Sequence, residues 1–192
     1  MAIEFFKKLS EAEKARRRER QINAPNNNGT NMFFKAIESN RLEEVTKLYR
    51  EGADLNARTT QRGMLSSMTM NVDYSIGATP LHAAALLGNA EIVAFLLEKG
   101  ANPRAKDDDG HTPMDYAILG HRFYESDLQR KEGSRFTLSS TVNKAASKLG
   151  NYEEIIVQLQ SHGAKPGMFA LPDRFRRDNP DGPGSFNAPP MP

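Results

Sequence analysis

Apolar residues recur along this chain with two different periods, and each period predicts a different element. Between Leu81 and Leu97 the spacing is helical. Leu81, Ala84 and Ala85 fall on one face of a first helix, and Ile92, Val93, Leu96 and Leu97 form the buried stripe of a second. A more divergent copy precedes it, with Phe33, Ala36 and Ile37 in one helix and Val45 and Leu48 in the next. Further on, Val142, Ala145, Ala146 and Leu149 make another stripe, followed by Ile155, Ile156 and Leu159. The polar and special residues punctuate these stripes: Thr79 suits a helix cap, Pro80 the first turn, Gly88 a left-handed turn and Gly100 a helix end.

From Met68 to Ile76 the period is two instead. Met68, Met70, Val72, Tyr74 and Ile76 alternate with Thr69, Asn71, Asp73 and Ser75, which predicts a strand with one apolar face. Paired with Ala57 to Arg62 across a turn near Gly63 to Ser67, it gives a long β-hairpin over 58–76. Tyr74 and Ile76, at the base, are expected to pack inward. Met64, Leu65, Met68 and Met70, toward the tip, are expected to meet a partner, because methionine adapts to irregular surfaces and a hairpin edge accepts a further strand.

Self-similarity ties the helical stripes together. Gly77-Ala78-Thr79-Pro80-Leu81-His82 recurs 33 positions later as Gly110-His111-Thr112-Pro113-Met114-Asp115. The segment from Gly77 resembles the ankyrin repeat nearly position for position: Thr79-Pro80-Leu81-His82, Ala84-Ala85, Gly88, Glu91-Ile92-Val93, Leu96-Leu97 and Gly100-Ala101-Asn102. Gly52-Ala53-Asp54-Leu55-Asn56-Ala57 closes the earlier copy in the same style, with Asn40 standing where Gly88 stands.

The resemblance covers 31–165 and implies an all-α ankyrin-repeat solenoid, read as about four repeats with the third irregular and the β-hairpin inserted between repeats one and two. The third is irregular because its second helix, Phe123 to Lys131, sets Glu125, Ser126, Gln129 and Arg130 near positions that should be apolar. Another threading makes Tyr152 to Ser161 the second helix of repeat three and 122–150 an insertion; both stay open at this point. The family pattern implies structural roles for Thr79, Pro80, His82, Gly88, Gly100, Thr112 and Pro113, with His82 bonding neighbouring turn backbone. It also implies a non-catalytic protein-binding module. Leu86 and Leu87, at positions often exposed in the family, and Asp107, Asp108 and His111, on a finger, are the further expected contacts.

Composition narrows the picture. A net charge of +2 over 192 residues argues against nucleic acid as the partner of the whole chain, and a chain without cysteine fits a reducing cytoplasm. Residues 1–30 are expected to form a basic helix and polar linker outside the array. Phe5, Phe6, Lys7, Lys8, Arg16, Arg17 and Arg18 there suit weak contact with an anionic membrane. Residues 166–192 hold seven of the eleven prolines and read as a disordered tail, where a short docking motif or a translocation signal of bacterial-effector type is conceivable.

The sequence offers little chemistry. No cysteine accompanies the four histidines, and these lack metal-ligand spacing with carboxylates. Asp107-Asp108-Asp109-Gly110 resembles part of a calcium loop, but positions one and twelve would be Ala105 and Tyr116. No catalytic, metal or cofactor residues are therefore expected.

Overall fold

The computed structural model describes residues 2–61, 63–64, 73–132 and 139–169. Its helices are α1 (Ala2–Asn23), α2 (Met32–Glu38), α3 (Leu42–Arg50), α4 (Pro80–Leu87), α5 (Ala90–Glu98), α6 (Pro113–Glu132) and α7 (Ser139–Ser161). After α1 they stand as three antiparallel pairs, α2/α3, α4/α5 and α6/α7, stacked side by side. One apolar core runs through all three, from Phe33 and Ile37 through Leu81, Ile92 and Leu96 to Met114, Ile155 and Leu159.

Local chemistry fixes each boundary. Asn31 caps α2, its side chain accepting from the amides of Phe33 and Phe34. Pro80 opens α4, where its missing N–H removes no helical bond. Gly88 ends α4 at φ 67°, and a Cβ there would lie 2.8 Å from the Tyr152 ring, so both conformation and space require glycine. Asn40 takes the same left-handed turn in the first pair at φ 51°. Adjacent pairs are tied at this edge by Asn89, whose buried amide donates to the Ile37 carbonyl at 2.9 Å.

Among the described residues there are three pairs, not the four that the sequence predicts. The predicted helix Phe123–Lys131 is a continuation of α6, and the two stripes at Val142–Leu149 and Ile155–Leu159 belong to the single helix α7. Nothing between Ala117 and Glu132 breaks a helix strongly. Gly120 sits against the Tyr152 ring, and Asp127 pairs with Arg130 and Lys131 one turn on. The polar residues Ser126, Gln129 and Arg130 simply face solvent on an elongated first helix. The threading that places Tyr152–Ser161 in repeat three is the one the fold adopts, with 122–132 extending α6 and 139–150 extending α7.

The long β-hairpin is also overturned. Among the described residues the antiparallel ladder is two residues per strand, β1 (Gly63–Met64) and β2 (Asp73–Tyr74), with Gly63 opposite Tyr74 and Met64 opposite Asp73. Residues 57–61 form no strand, and Ile76–Gly77 is a turn with Gly77 at φ 79°. Thr59 competes with any ladder there: its hydroxyl donates to the Ser75 carbonyl and accepts from the Ala78 amide. Ile76 is 40% exposed, so it does not pack inward as expected. Leu65, Met68, Met70 and Val72 lie outside the described residues.

The ends of the array are joined to their flanks. The last turn of α1 seats Ile22, fully buried, in the core. Asn23 bonds both the Gly52 carbonyl and the Asp54 amide at 2.9 Å, and Arg18 meets Glu51 at 2.8 Å. At the far end, residues 167–169, which composition assigns to the tail, are bonded to α6.

Candidate partner-binding surface

The turns linking the pairs project as fingers from the start of each first helix, and side chains at the base of each finger set their geometry. His82 is the latch between the second and third. Its Nδ1 accepts from the Thr79 amide at 3.0 Å, which leaves the ring proton on Nε2, and Nε2 donates to the His111 carbonyl at 3.1 Å. Burial pushes its pKa down to about 4, with Arg58 acting in the same direction, so the ring stays neutral in this role.

The third finger closes on itself in a similar way. Asp107, 4% exposed, accepts from the His111 amide at 2.8 Å and from the Tyr116 hydroxyl at 2.9 Å. Burial and that carboxylate push the Tyr116 phenol up to about 12, so it remains a hydroxyl donor. Asp107 is therefore a turn-forming residue and not a free contact. Asp108 is exposed but engaged, meeting Arg58 of the neighbouring finger at 3.0 Å while its amide donates to Ile76. The Ser75 hydroxyl donates to Asp109 at 2.7 Å. His111 is half-buried, its ring stacked on Phe169 with centroids 5.7 Å apart.

The expected apolar contacts fare differently. Leu86 is fully buried and Leu87 half-buried, because α7 lies over the end of α4. The Tyr152 hydroxyl donates to the Leu86 carbonyl at 2.6 Å, and the Lys148 ammonium to the Leu87 carbonyl at 2.9 Å. Leu86 is consequently core and offers no side chain to a partner. Of Met64 only the backbone, in β1, is described. Thr112 and Pro113 lie at the start of α6, where the Thr112 amide donates to Asp115.

What remains open on the finger side is a row of polar side chains on braced turns: Arg58, Arg104, Lys106, Asp108 and Asp109, all exposed. Sequence reasoning missed Arg58, Arg104 and Lys106 because single charges in a turn carry no periodic signal. On α1, Lys8, Arg16 and Arg17 are exposed, whereas Arg18 is turned to Glu51; the side chains of Phe5, Phe6 and Lys7 lie outside the described residues. Among the described residues no three His, Asp or Glu side chains cluster with metal-binding geometry, and no helix is long and apolar enough to cross a membrane.

Comparison with known proteins agrees with this geometry. The family model described as ankyrin repeats (many copies) matches residues 69–117. A putative ankyrin repeat protein of Neisseria meningitidis is 42% identical over 57 residues, 27% of this chain and 22% of that protein. Human Rabankyrin-5 is 38% identical over 87 residues, 45% of this chain and 7% of its own length. A putative ankyrin repeat protein of fowlpox virus is 37% identical over 54 residues, 28% and 29% of the two chains. The chain thus spans less than a third of each of these relatives. Stacked helix pairs, a histidine latched to the next finger, left-handed turns at Asn40 and Gly88 and these matches together identify ankyrin repeats in this chain, and ankyrin repeats indicate a protein–protein interaction module.

Proposed function

We propose that this chain is a non-catalytic cytoplasmic scaffold or adaptor that holds a protein partner against its finger edge. The observation that carries this reading is the cross-bracing of adjacent fingers. Arg58–Asp108, Ser75–Asp109, the Asp108 amide on Ile76 and His82 on His111 fix two neighbouring turns while their charged side chains stay exposed. Contacts held rigidly before binding lose little entropy on association, which favours a fixed polar edge as a recognition surface. The inner surface over α4 is a weaker candidate, since seven of its eight residues are buried.

The test is affinity capture with quantitative mass spectrometry from the source cells, comparing the intact chain with a Lys106→Glu, Asp108→Lys variant. The variant should melt within a few degrees of the parent and lose the specific partner. Recovery of the same partner in the same amount contradicts a finger-edge site.

A second reading, peripheral contact with anionic lipid, draws on the exposed Lys8, Arg16 and Arg17 of α1. Co-sedimentation with phosphatidylserine vesicles separates the two: binding abolished by Arg16→Glu, Arg17→Glu supports lipid contact, and no sedimentation at low salt removes it.

A further inference from the structure

The first turn of α6 departs from the repeat pattern at Asp115, which stands where repeat two has His82. His82 donates an N–H to the carbonyl of the next finger. Asp115 can only accept. Fully buried, its carboxylate takes the Thr112 amide and hydroxyl and the Gly167 amide on Oδ2, all at 2.8 Å, and the amides of Met168 and Phe169 on Oδ1 at 2.9 and 2.8 Å. Three successive backbone N–H groups thus converge on one side chain.

The surroundings select what presents those amides. A Cβ on Gly167 would lie 2.8 Å from Asp115 Oδ2 and 2.9 Å from the Gly110 carbonyl, both held in hydrogen-bonded turns, so the first position requires glycine. Met168 points outward, 63% exposed, and places no demand on its side chain. Phe169 stacks on His111 and lies beneath the Arg122 guanidinium, 5.7 Å from each. The Gly163 carbonyl accepts from the Arg104 guanidinium at 2.8 Å, which aligns the approach.

We propose that repeat three carries a peptide-backbone binding site, formed by Asp115, Thr112, His111 and Arg122, for a bent segment of the form glycine, any residue, aromatic, and that Gly167–Phe169 fill it in cis. The reversal from donor to acceptor gives the site its selectivity. A further finger presenting a carbonyl, as the third finger does to His82, would set two acceptors face to face and leave the desolvated Asp115 Oδ1 without a donor. The site therefore closes this face of the stack with the chain's own segment and rejects a stacked repeat there. The inference is independent of the finger-edge reading, since it concerns backbone amides and not the exposed charges.

Two variants of the full chain test it. Asp115→Asn replaces one acceptor by a donor; Gly167→Val blocks the close approach while leaving the Asp115–Thr112 cap of α6 intact. In both, the amides of residues 167–169 should exchange with solvent roughly tenfold faster or more, with the amides of α4 and α5 unchanged. A capped peptide of the sequence of residues 164–169, titrated by NMR, should shift Thr112, His111 and Arg122 in the Gly167→Val variant. It should shift none of them in the parent, whose site is filled, nor in the double variant. Parent-like exchange at 167–169 in both single variants, or a folded Gly167→Val protein whose spectrum the peptide leaves untouched, overturns the proposal.

Discussion

His82 and Asp115 occupy the same place in successive helices and are tuned by the same burial to opposite tasks. Burial favours the neutral imidazole, and its folded pKa of about 4 lies below the ordinary histidine value. The unfolded chain therefore binds more protons between those two values, and stability falls as pH drops from about 6.5 to about 4, by on the order of 3 kcal/mol. Below that range the loss from this residue is complete. His82→Gln should flatten this part of a plot of unfolding free energy against pH, and an unchanged slope would mean the latch is not closed in solution. At Asp115 burial pushes the carboxyl up, but the hydrogen bonds from Phe169, Thr112 and Met168 outweigh it and hold it below the usual range. Its contribution is present near neutrality and is lost only as the pH falls below ordinary carboxylate values. In the core, Leu96 is fully buried, so Leu96→Ala should lower unfolding free energy by about 2 to 5 kcal/mol in a denaturant titration, and a midpoint that barely moves would misplace α5.

At the level of elements, the third pair does the most to set the shape of the inner face. α7 lies across the end of α4, with the Tyr152 ring against Gly88 and Gly120 and its hydroxyl on the Leu86 carbonyl. Tyr152→Phe leaves that carbonyl without its donor and should cost about 1 to 3 kcal/mol, whereas Tyr152→Ala should cost about 3 to 5 kcal/mol by opening a cavity. Thermal melts of both variants check the order; equal effects would show that the hydroxyl contributes nothing. The same contact explains what the sequence could and could not tell. Thr79, Pro80, His82 and Gly88 signal their turns and caps within a few residues, and those elements were legible. Leu86 was read as exposed because its cover, Tyr152, comes 66 residues later, beyond any local pattern. The strict alternation from Met68 to Ile76 was read as one strand, yet Thr59 and the left-handed Gly77 turn satisfy the backbone at its end by other means. The repeat pattern divides α6 in two, because its polar residues conflict with a repeat's buried stripe while suiting a helix that extends into solvent.

Across the whole molecule, an array of three pairs has two end faces to protect, since each repeat buries its apolar side on a neighbour. One end is covered by the last turn of α1 through Ile22 and Asn23, the other by Gly167–Phe169. Ile22→Ala should lower the unfolding free energy by about 2 to 5 kcal/mol in one cooperative transition, a shift that a freely attached helix would not produce. Among the described residues, the finger row and the backs of the second helices both present exposed side chains. Site-specific photocrosslinking in the source cells distinguishes them directly. A photoreactive residue at Lys106 on the fingers should capture the partner, while the same residue at the exposed Ala94 or Val157 on the second helices should not. Capture at Ala94 or Val157 and none at Lys106 would contradict the account of this chain as a protein that binds through its finger edge.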